Sequence, residues 1–223
     1  MNIDAFKVVR DFEAALCEYT GAPYCVTTTS CTMALLLAVS YQLRHDWKVR
    51  ANVVPKIGIP KRTYVSVPMS IIHAGGRPVF RDEDWSGAYR LNPLTVYDSA
   101  RRFRKGMYSW STSWSDKNEN APSLDHEMVC LSFHWSKILG VQQGGAILHD
   151  DPRADAWLRR ARFDGRTEGV APKDDHFDML GWHAYMAPET AAAGLVRLAL
   201  LPDIIPDLPN DDYPDLSQME IFK

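Results

Sequence analysis

The sequence predicts an α/β protein with a mostly parallel sheet, and three observations support this fold class. Short apolar runs typical of buried strands alternate with segments of helical periodicity. This alternation extends from about residue 24 to residue 149, and βαβ order favours parallel strands. The chain has 223 residues, of which 46% are hydrophobic and 24% are charged, so it is long enough to form one domain with a full core.

The elements can be predicted in chain order. Apolar residues recur at three- and four-residue steps from Ile3 to Leu16, which predicts an amphipathic first helix that ends at Gly21. Strand, helix, strand, helix and strand follow at residues 24–28, 30–45, 56–60, 64–74 and 77–82. Three more strands and two helices are predicted at residues 95–98, 128–133, 146–149, 152–163 and 188–201. The remaining tail is rich in proline and aspartate, which predicts an extended arm over residues 202–223.

Composition and charge argue against several classes of function. The net charge of −3 gives no basic footprint for nucleic acid. The four cysteines show no paired metal-ligand spacing, so we expect reduced core thiols and no metal site. The N-terminus lacks a basic region followed by an apolar run, and no segment is long enough to span a bilayer. We therefore expect no membrane partner and a cytoplasmic location.

A lysine at the end of one predicted strand is the first candidate for chemistry. The strand at residues 128–133 leads to Lys137 and then to a glycine-rich turn that contains Gly140, Gly144 and Gly145. An apolar, partly desolvated setting disfavours the ammonium form, which is the condition that a Schiff-base lysine needs. The plainer alternative is a solvated turn lysine.

Two other segments strengthen that interpretation. Ser30 and Thr32 lie in the first turn of a helix that follows a strand, a position that can hold phosphate or can be an ordinary helix cap. Asp98 ends an apolar strand, where open α/β sheets place ligand-binding groups, although a turn residue would fit as well. A phosphate cradle, an acid for the ring nitrogen and an amine for the aldehyde are the three anchors of a pyridoxal phosphate site.

The order and the amino-acid sequences of these segments resemble those of the DegT family of pyridoxal-phosphate-dependent nucleotide-sugar aminotransferases. The matching segments lie between about residue 5 and about residue 200, and they are Phe12-Glu13, Ser30-Cys-Thr-Met-Ala-Leu35, Thr63-Tyr-Val-Ser66, Ala74-Gly-Gly-Arg-Pro-Val-Phe80, Asp98-Ser-Ala100, Ser132-Phe133 with Lys137, Gly144-Gly145, Arg162-Phe-Asp-Gly165 and Ala192-Ala-Gly-Leu-Val-Arg-Leu198. The resemblance implies the three-layer αβα large domain of the type I aminotransferase fold over residues 1–201. It also implies that the C-terminal small domain is missing.

The resemblance assigns the principal roles to a lysine, an aspartate and a set of phosphate-binding residues. Lys137 would form the Schiff base with pyridoxal 5'-phosphate and then carry a proton between the substrate carbon and the cofactor carbon. Asp98 would bond the pyridine nitrogen and keep it protonated. Cys31, Thr32 and Ser132 would hold the phosphate, with Ser30 at the same helix start.

The resemblance implies three further cofactor contacts. Tyr64 matches the aromatic residue that stacks on the cofactor ring, and core packing is its alternative. Arg101 stands where the family usually has a glutamine near the cofactor hydroxyl. His183 lies in a segment whose family asparagine reaches the phosphate of a partner subunit, and it is the candidate replacement donor.

The chain departs from the family pattern in two places. The segment between Trp85 and Asp98 is too short for the strand and helices that members carry there, so one crossover is missing near residues 85–95. This predicts six strands rather than seven, with the Asp98 strand next to the strand at residues 56–60. Residues 105–125 are longer than their counterpart, and Trp110 and Trp114 are expected to cover surface exposed by the missing pieces.

The implied function is transfer of an amino group from glutamate or glutamine to a keto sugar that is linked to a nucleotide, by a homodimer. Sugar dehydration within the same fold uses a histidine in place of the lysine, and Lys137 argues against it. A non-catalytic relic of the fold that acts as a binding or regulatory protein stays open, because two large pieces are missing.

Overall fold

The computed structural model describes residues 4–45, 53–108, 126–210 and 212–223. Its α-helices are α1 Lys7–Thr20, α2 Cys31–His45, α3 Ser66–His73, α4 Pro152–Ala161 and α5 Pro188–Ala199. Its strands are β1 Tyr24–Thr28, β2 Lys56–Pro60, β3 Arg77–Arg81, β4 Tyr89–Arg90, β5 Val96–Asp98, β6 Met128–Ser132 and β7 Gly145–His149. Each predicted helix and strand is present, and β4 is an addition that the sequence did not predict.

The strands form a five-stranded sheet in the order β1-β7-β6-β5-β4 and a parallel pair, β2-β3. An antiparallel bridge joins the two, since the backbone N–H groups of Gly58 and Asn92 donate to each other's carbonyls at 2.6 and 3.0 Å. β7 runs antiparallel to both of its neighbours, as expected. Only β7 and β4 oppose the common direction of the described strands, so the sheet is mostly parallel.

The prediction that the Asp98 strand lies next to the strand at residues 56–60 was wrong. β4 lies between β5 and β2, and it pairs antiparallel with β5 through Tyr89 opposite Asp98 and Arg90 opposite Tyr97. The β4–β5 hairpin therefore gives the described residues seven strands rather than the predicted six. The physical reason is that a buried strand edge needs backbone partners, and a chain that folds straight back supplies them. Trp110 and Trp114 lie outside the described residues.

Helices cover both faces of the sheet and give the three-layer αβα arrangement. Alternate residues of β6 and β7 face opposite sides, as the two-residue period of a strand requires. Cys130 and Ile147 pack into the cluster with α2, α3 and α4. Leu131 and Leu148 pack into the cluster with α1 and α5. Polar groups at the ends of these strands are thereby held on a rigid frame.

The described residues of the tail form no α-helix or strand, and the tail is docked on the body of the domain. Two short 3-10 turns end it, Leu216–Gln218 and Glu220–Phe222. Leu216 is fully buried, and its N–H donates to the Lys61 carbonyl at 2.9 Å. Asp207 accepts from Arg102 Nε at 2.8 Å. The arm is thus held by both apolar and polar contacts.

The described residues contain neither a helix that could span a membrane nor a cluster of metal-binding side chains. No helix in these ranges is both long and apolar enough to cross a bilayer. Within the same ranges, no group of three or more His, Cys, Asp or Glu side chains is placed to hold a metal ion. All four cysteines are free, and burial raises the pKa of the Cys25 and Cys130 thiols well above the usual value.

Candidate active site

A cavity of about 620 Å³ lies at the edge of the sheet where the parallel strands end. Open α/β sheets bind ligands at this edge, and the volume lies within the usual range for a small-molecule pocket. Eight of the nine predicted site residues line it, namely Ser30, Cys31, Thr32, Tyr64, Asp98, Arg101, Ser132 and Lys137. The fold therefore brings together side chains that are spread over more than a hundred positions of the sequence.

The turn from β1 into α2 forms one wall. The hydroxyl of Ser30 accepts from the N–H of Met33 at 3.2 Å, so Ser30 does cap the helix, as the plainer alternative proposed. The hydroxyl of Thr32 donates to Ser66 Oγ on α3 at 2.8 Å. The first N–H groups of a helix have no partner within the helix, so Cys31 and Thr32 offer backbone donors to an anion here.

Gly145 allows β7 to start directly against this turn. A Cβ atom on Gly145 would lie 2.5 Å from the Cys31 nitrogen and 2.5 Å from the Ser30 carbonyl carbon. Both neighbours are backbone atoms, so no side-chain rotation could relieve the overlap. The start of α2 can therefore lie close to the turn that carries Lys137 only because residue 145 is a glycine.

Asp98 is buried at the end of β5. Its Oδ2 accepts from the Tyr89 hydroxyl at 2.8 Å, and its Oδ1 accepts from the Ala100 N–H at 3.0 Å. Burial raises the pKa of Asp98 above its usual value, while both hydrogen bonds and the charges of Lys137 and Arg101 act in the opposite direction. A buried carboxylate favours a nearby cation, and a protonated ring nitrogen would be one.

Lys137 is half-buried in the turn after β6, where its N–H donates to the His134 carbonyl at 2.8 Å. Gly140 ends the turn with φ +58°, a left-handed conformation that favours glycine. The positive charge of Lys137 lowers the pKa of Asp98, so the amine and the carboxylate interact within one cavity. The solvated-turn alternative does not account for this placement.

Tyr64 and Arg101 line the cavity in different ways. Tyr64 is 57% exposed, which rules out core packing as the reason for this residue. Arg101 is buried, and its Nη2 donates to the Tyr213 hydroxyl of the tail at 3.1 Å. The same guanidinium donates to the Pro209 carbonyl and lies 5.5 Å from the centre of the Tyr213 ring. Arg101 therefore joins the pocket to the tail, a role that its motif position did not predict.

Two aromatic residues of the pocket wall were missed by sequence reasoning. Trp85 lies just before the β4–β5 hairpin, and Tyr213 lies in the tail. Their rings are stacked with centres 6.3 Å apart, and Trp85 Nε1 donates to the Arg62 carbonyl at 2.9 Å. Neither residue stands in a recognisable motif, so only the folded chain reveals them.

His183 lies outside this pocket. Its side chain is 71% exposed, and Nδ1 lies 2.9 Å from Asp164 Oδ2. The implied contact of His183 is with the phosphate of a second subunit, and it stays a prediction.

A larger cleft of about 890 Å³ lies between α1, β1 and α4. Its charged groups are already paired, Arg10 with Glu168 and Arg159 with Glu13. None of the predicted site residues lines it. We therefore place the chemistry in the smaller cavity.

Comparison with known proteins is consistent with this geometry. A model of the DegT/DnrJ/EryC1/StrS aminotransferase family matches residues 2–105 and 114–207. The chain belongs to this family. One relative, dTDP-4-amino-4,6-dideoxy-D-glucose transaminase of Shigella dysenteriae, is 21% identical in an alignment 216 residues long that covers 85% of this chain and 55% of that protein.

Solved structures of other proteins share the fold. Helicobacter pylori PseC, an aminotransferase involved in the biosynthesis of pseudoaminic acid, has a TM-score of 0.63 at 19% identity, over 86% of this chain and 57% of that one. NtdA of Bacillus subtilis, with bound cofactor PMP, has a TM-score of 0.61 at 17% identity, over 87% of this chain and 48% of that one. The chain thus spans about half the length of these relatives.

The side chains present here fit pyridoxal phosphate. The cofactor needs an anion site, an acid at the ring nitrogen, an amine at the aldehyde and a surface for the ring. The α2 start, Asp98, Lys137 and Tyr64 supply these four elements in one cavity. Gly145 permits a close approach between the start of β7 and the start of α2. Such an approach is expected if the α2 start and Lys137 bind the same ligand.

Proposed function

We propose that the chain binds pyridoxal 5'-phosphate in the 620 Å³ cavity and acts as an aminotransferase on a keto sugar linked to a nucleotide. The observation that carries the proposal is the meeting of buried Asp98, Lys137 and the α2 N-terminus in one cavity. The dTDP-sugar relative supports the substrate class. Glutamate or glutamine is the proposed amino donor.

The bound cofactor would supply an electron sink, and the side chains of the chain would provide the rest. Ser30, Cys31, Thr32 and Ser132 hold the phosphate through hydroxyl and backbone donors. Asp98 holds a proton on the ring nitrogen by its negative charge. Lys137 would place its Nζ at the aldehyde end of the cofactor, where the free amine would carry a proton between the substrate and cofactor carbons.

The remaining pocket residues orient the ligand and exclude water. Tyr64 covers a face of the ring, and Arg101 lies near its hydroxyl while it anchors the tail. Trp85 and Tyr213 close the cavity on one side, which strengthens electrostatic interactions inside it. We also propose a homodimer, in which His183 reaches the second site, and a cytoplasmic location in keeping with four free thiols.

Borohydride trapping tests the cofactor assignment. Protein incubated with pyridoxal phosphate and then reduced should carry the adduct on Lys137, as peptide mass spectrometry would show. The Lys137→Ala variant should carry none, and Lys173→Ala, at an exposed position away from the cavity, should be labelled like the wild type. Labelling at a different lysine, or equal labelling of Lys137→Ala, contradicts the proposal.

A second candidate function is cofactor binding without turnover. The hydrogen bonds from the Arg101 guanidinium to Pro209 and Tyr213 favour this function, because they give a pocket residue the structural role of anchoring the tail. Incubation of the loaded protein with glutamate separates the two functions. An aminotransferase should yield pyridoxamine phosphate in the wild type and none in Lys137→Ala, whereas the absence of product in both would favour the binding protein.

A further inference from the structure

Asp98 has a hydrogen-bond partner that lies outside every family motif. Tyr89 on β4 is buried, and its hydroxyl donates to Asp98 Oδ2 at 2.8 Å. The same hydroxyl lies 2.6 Å from Oγ1 of buried Thr63, the residue before Tyr64. The three polar groups form a continuous chain from the β2–α3 connection to the end of β5.

The direction of these hydrogen bonds follows from the chemistry of the groups. An ionised carboxylate can only accept, so the phenol proton of Tyr89 must point to Asp98. Thr63 must then donate to the phenol oxygen. Burial and the nearby charge of Asp98 raise the pKa of Tyr89 well above its usual value, so the phenol keeps this proton at neutral pH.

The hairpin accounts for the contact. Tyr89 and Asp98 are directly opposite in the antiparallel β4–β5 ladder, and opposite residues share a face of the sheet. Trp85 packs edge-on against the Tyr89 ring at 4.7 Å, and the hydrogen bond is shielded from solvent because Tyr89 and Asp98 are both buried. The segment that replaces the missing crossover thus brings a new donor to the site.

We propose that Tyr89, held by Thr63, is a positioning residue that fixes the Asp98 carboxylate and keeps its negative charge available to the pyridine nitrogen of the cofactor. The proposal rests on the proposed function for its link to the cofactor. In the protein alone, the hydrogen bond is expected to stabilise the ionised form of Asp98.

The other titratable groups that face Asp98 act differently. Lys137 and Arg101 lower the pKa of Asp98 through their charge. The thiols of Cys31 and Cys130 have pKa values raised well above the usual one by burial, so they stay neutral. Tyr89 is therefore the neutral side-chain donor whose removal changes no net charge near Asp98.

Carboxyl titration in the cofactor-free protein tests the inference directly. The ¹³C resonance of the Asp98 carboxyl, followed against pH by NMR, should have a midpoint about 1 to 2 pH units higher in Tyr89→Phe than in the wild type. Tyr97→Phe is the matched control, because it removes a hydroxyl from the neighbouring β5 residue, whose partner is Glu127 at 3.3 Å. Its Asp98 midpoint should be unchanged.

Thr63 supplies a second and gentler test. Thr63→Val removes the donor to Tyr89 and should raise the Asp98 midpoint by less than Tyr89→Phe does, whereas Thr63→Ser should keep the wild-type value. An Asp98 midpoint that is the same in wild type, Tyr89→Phe and Thr63→Val overturns the inference, whether or not the cofactor binds.

The bound cofactor gives the second readout. Pyridoxal phosphate labelled with ¹⁵N in the ring should show a protonated nitrogen in the wild type and a shift towards the unprotonated position in Tyr89→Phe. An unchanged ¹⁵N shift in bound Tyr89→Phe overturns the inference. If the wild type fails to bind the cofactor, the proposed function fails, and the Asp98 titration still decides whether Tyr89 holds the carboxylate.

Discussion

The carboxylate of Glu13 on α1 is ion-paired inside the core with the guanidinium of Arg162, which follows α4. Glu13 also accepts from the N–H of Thr27 at 2.9 Å and from Arg159 Nη1 at 2.7 Å. These contacts fix the end of β1 three residues before Ser30. Both members of the pair stand in segments that match the family, and the structure gives them an architectural role beside the site.

Loss of this buried pair should be costly. Glu13→Gln removes the nearer counter-charge of the buried Arg162 guanidinium and leaves it the Glu168 carboxylate at 3.6 Å, so the free energy of unfolding should fall by about 3 to 5 kcal/mol. Asp11→Asn, which removes the exposed Lys7–Asp11 pair on the same helix, should lower it by less than about 1 kcal/mol. Urea denaturation measures both values. Equal losses of unfolding free energy in the two variants would show that the buried Glu13–Arg162 pair stabilises the fold no more than the exposed Lys7–Asp11 pair does.

The same pair predicts a pH dependence. Burial alone would raise the pKa of Glu13, but the charges of Arg162 and Arg159 and the hydrogen bonds of Arg159 and Thr27 bring it below the ordinary value of 4.5. A lowered folded-state pKa stabilises the fold above the unfolded-state pKa, and this contribution is lost as pH falls. The stability difference between wild type and Glu13→Gln should be constant at neutral pH and shrink below about pH 4.5. Denaturation series at several pH values measure this difference in stability. A difference that stays constant down to pH 3 would contradict the prediction.

Gly145→Ala should disturb the phosphate cradle. The new Cβ would overlap backbone atoms of Ser30 and Cys31, and overpacking of this kind costs about 1 to 3 kcal/mol. Calorimetric titration with pyridoxal phosphate should show weaker binding for the same reason. In Gly58→Ala the Cβ meets the flexible end of Arg81 at 3.0 Å, so binding should be retained. Equal affinity of both variants would mean that the close approach at Gly145 does not serve the ligand.

The tail should contribute to global stability. Leu216 is fully buried, so Leu216→Ala should lower the free energy of unfolding by about 2 to 5 kcal/mol. Ile204 is 87% exposed in the same tail, and Ile204→Ala should change it by less than about 0.5 kcal/mol. Chemical denaturation distinguishes the two. An unchanged free energy of unfolding in Leu216→Ala would indicate that the tail separates from the body of the domain in solution.

Local motifs allowed eight residues of the cavity wall to be predicted from sequence. Ser30, Asp98 and Lys137 each end or follow an apolar strand, and strands of one direction must place such residues at the same edge. The β4 strand could not be predicted, because two residues carry no periodicity and their conformation depends on pairing with β5. The contact of Arg101 with Tyr213 joins residues far apart in sequence, and no local signal encodes such docking.

The β4–β5 hairpin has a consequence for the folding rate. Tyr89 and Asp98 are nine residues apart, so this pairing closes a short loop before any distant strand is recruited. Direct pairing of β5 with β2 would require a much longer loop and a larger loss of chain entropy. We expect the hairpin to form early and to lower the relative contact order of the sheet. Substitutions at the β4–β5 pair should then slow refolding more than they speed unfolding.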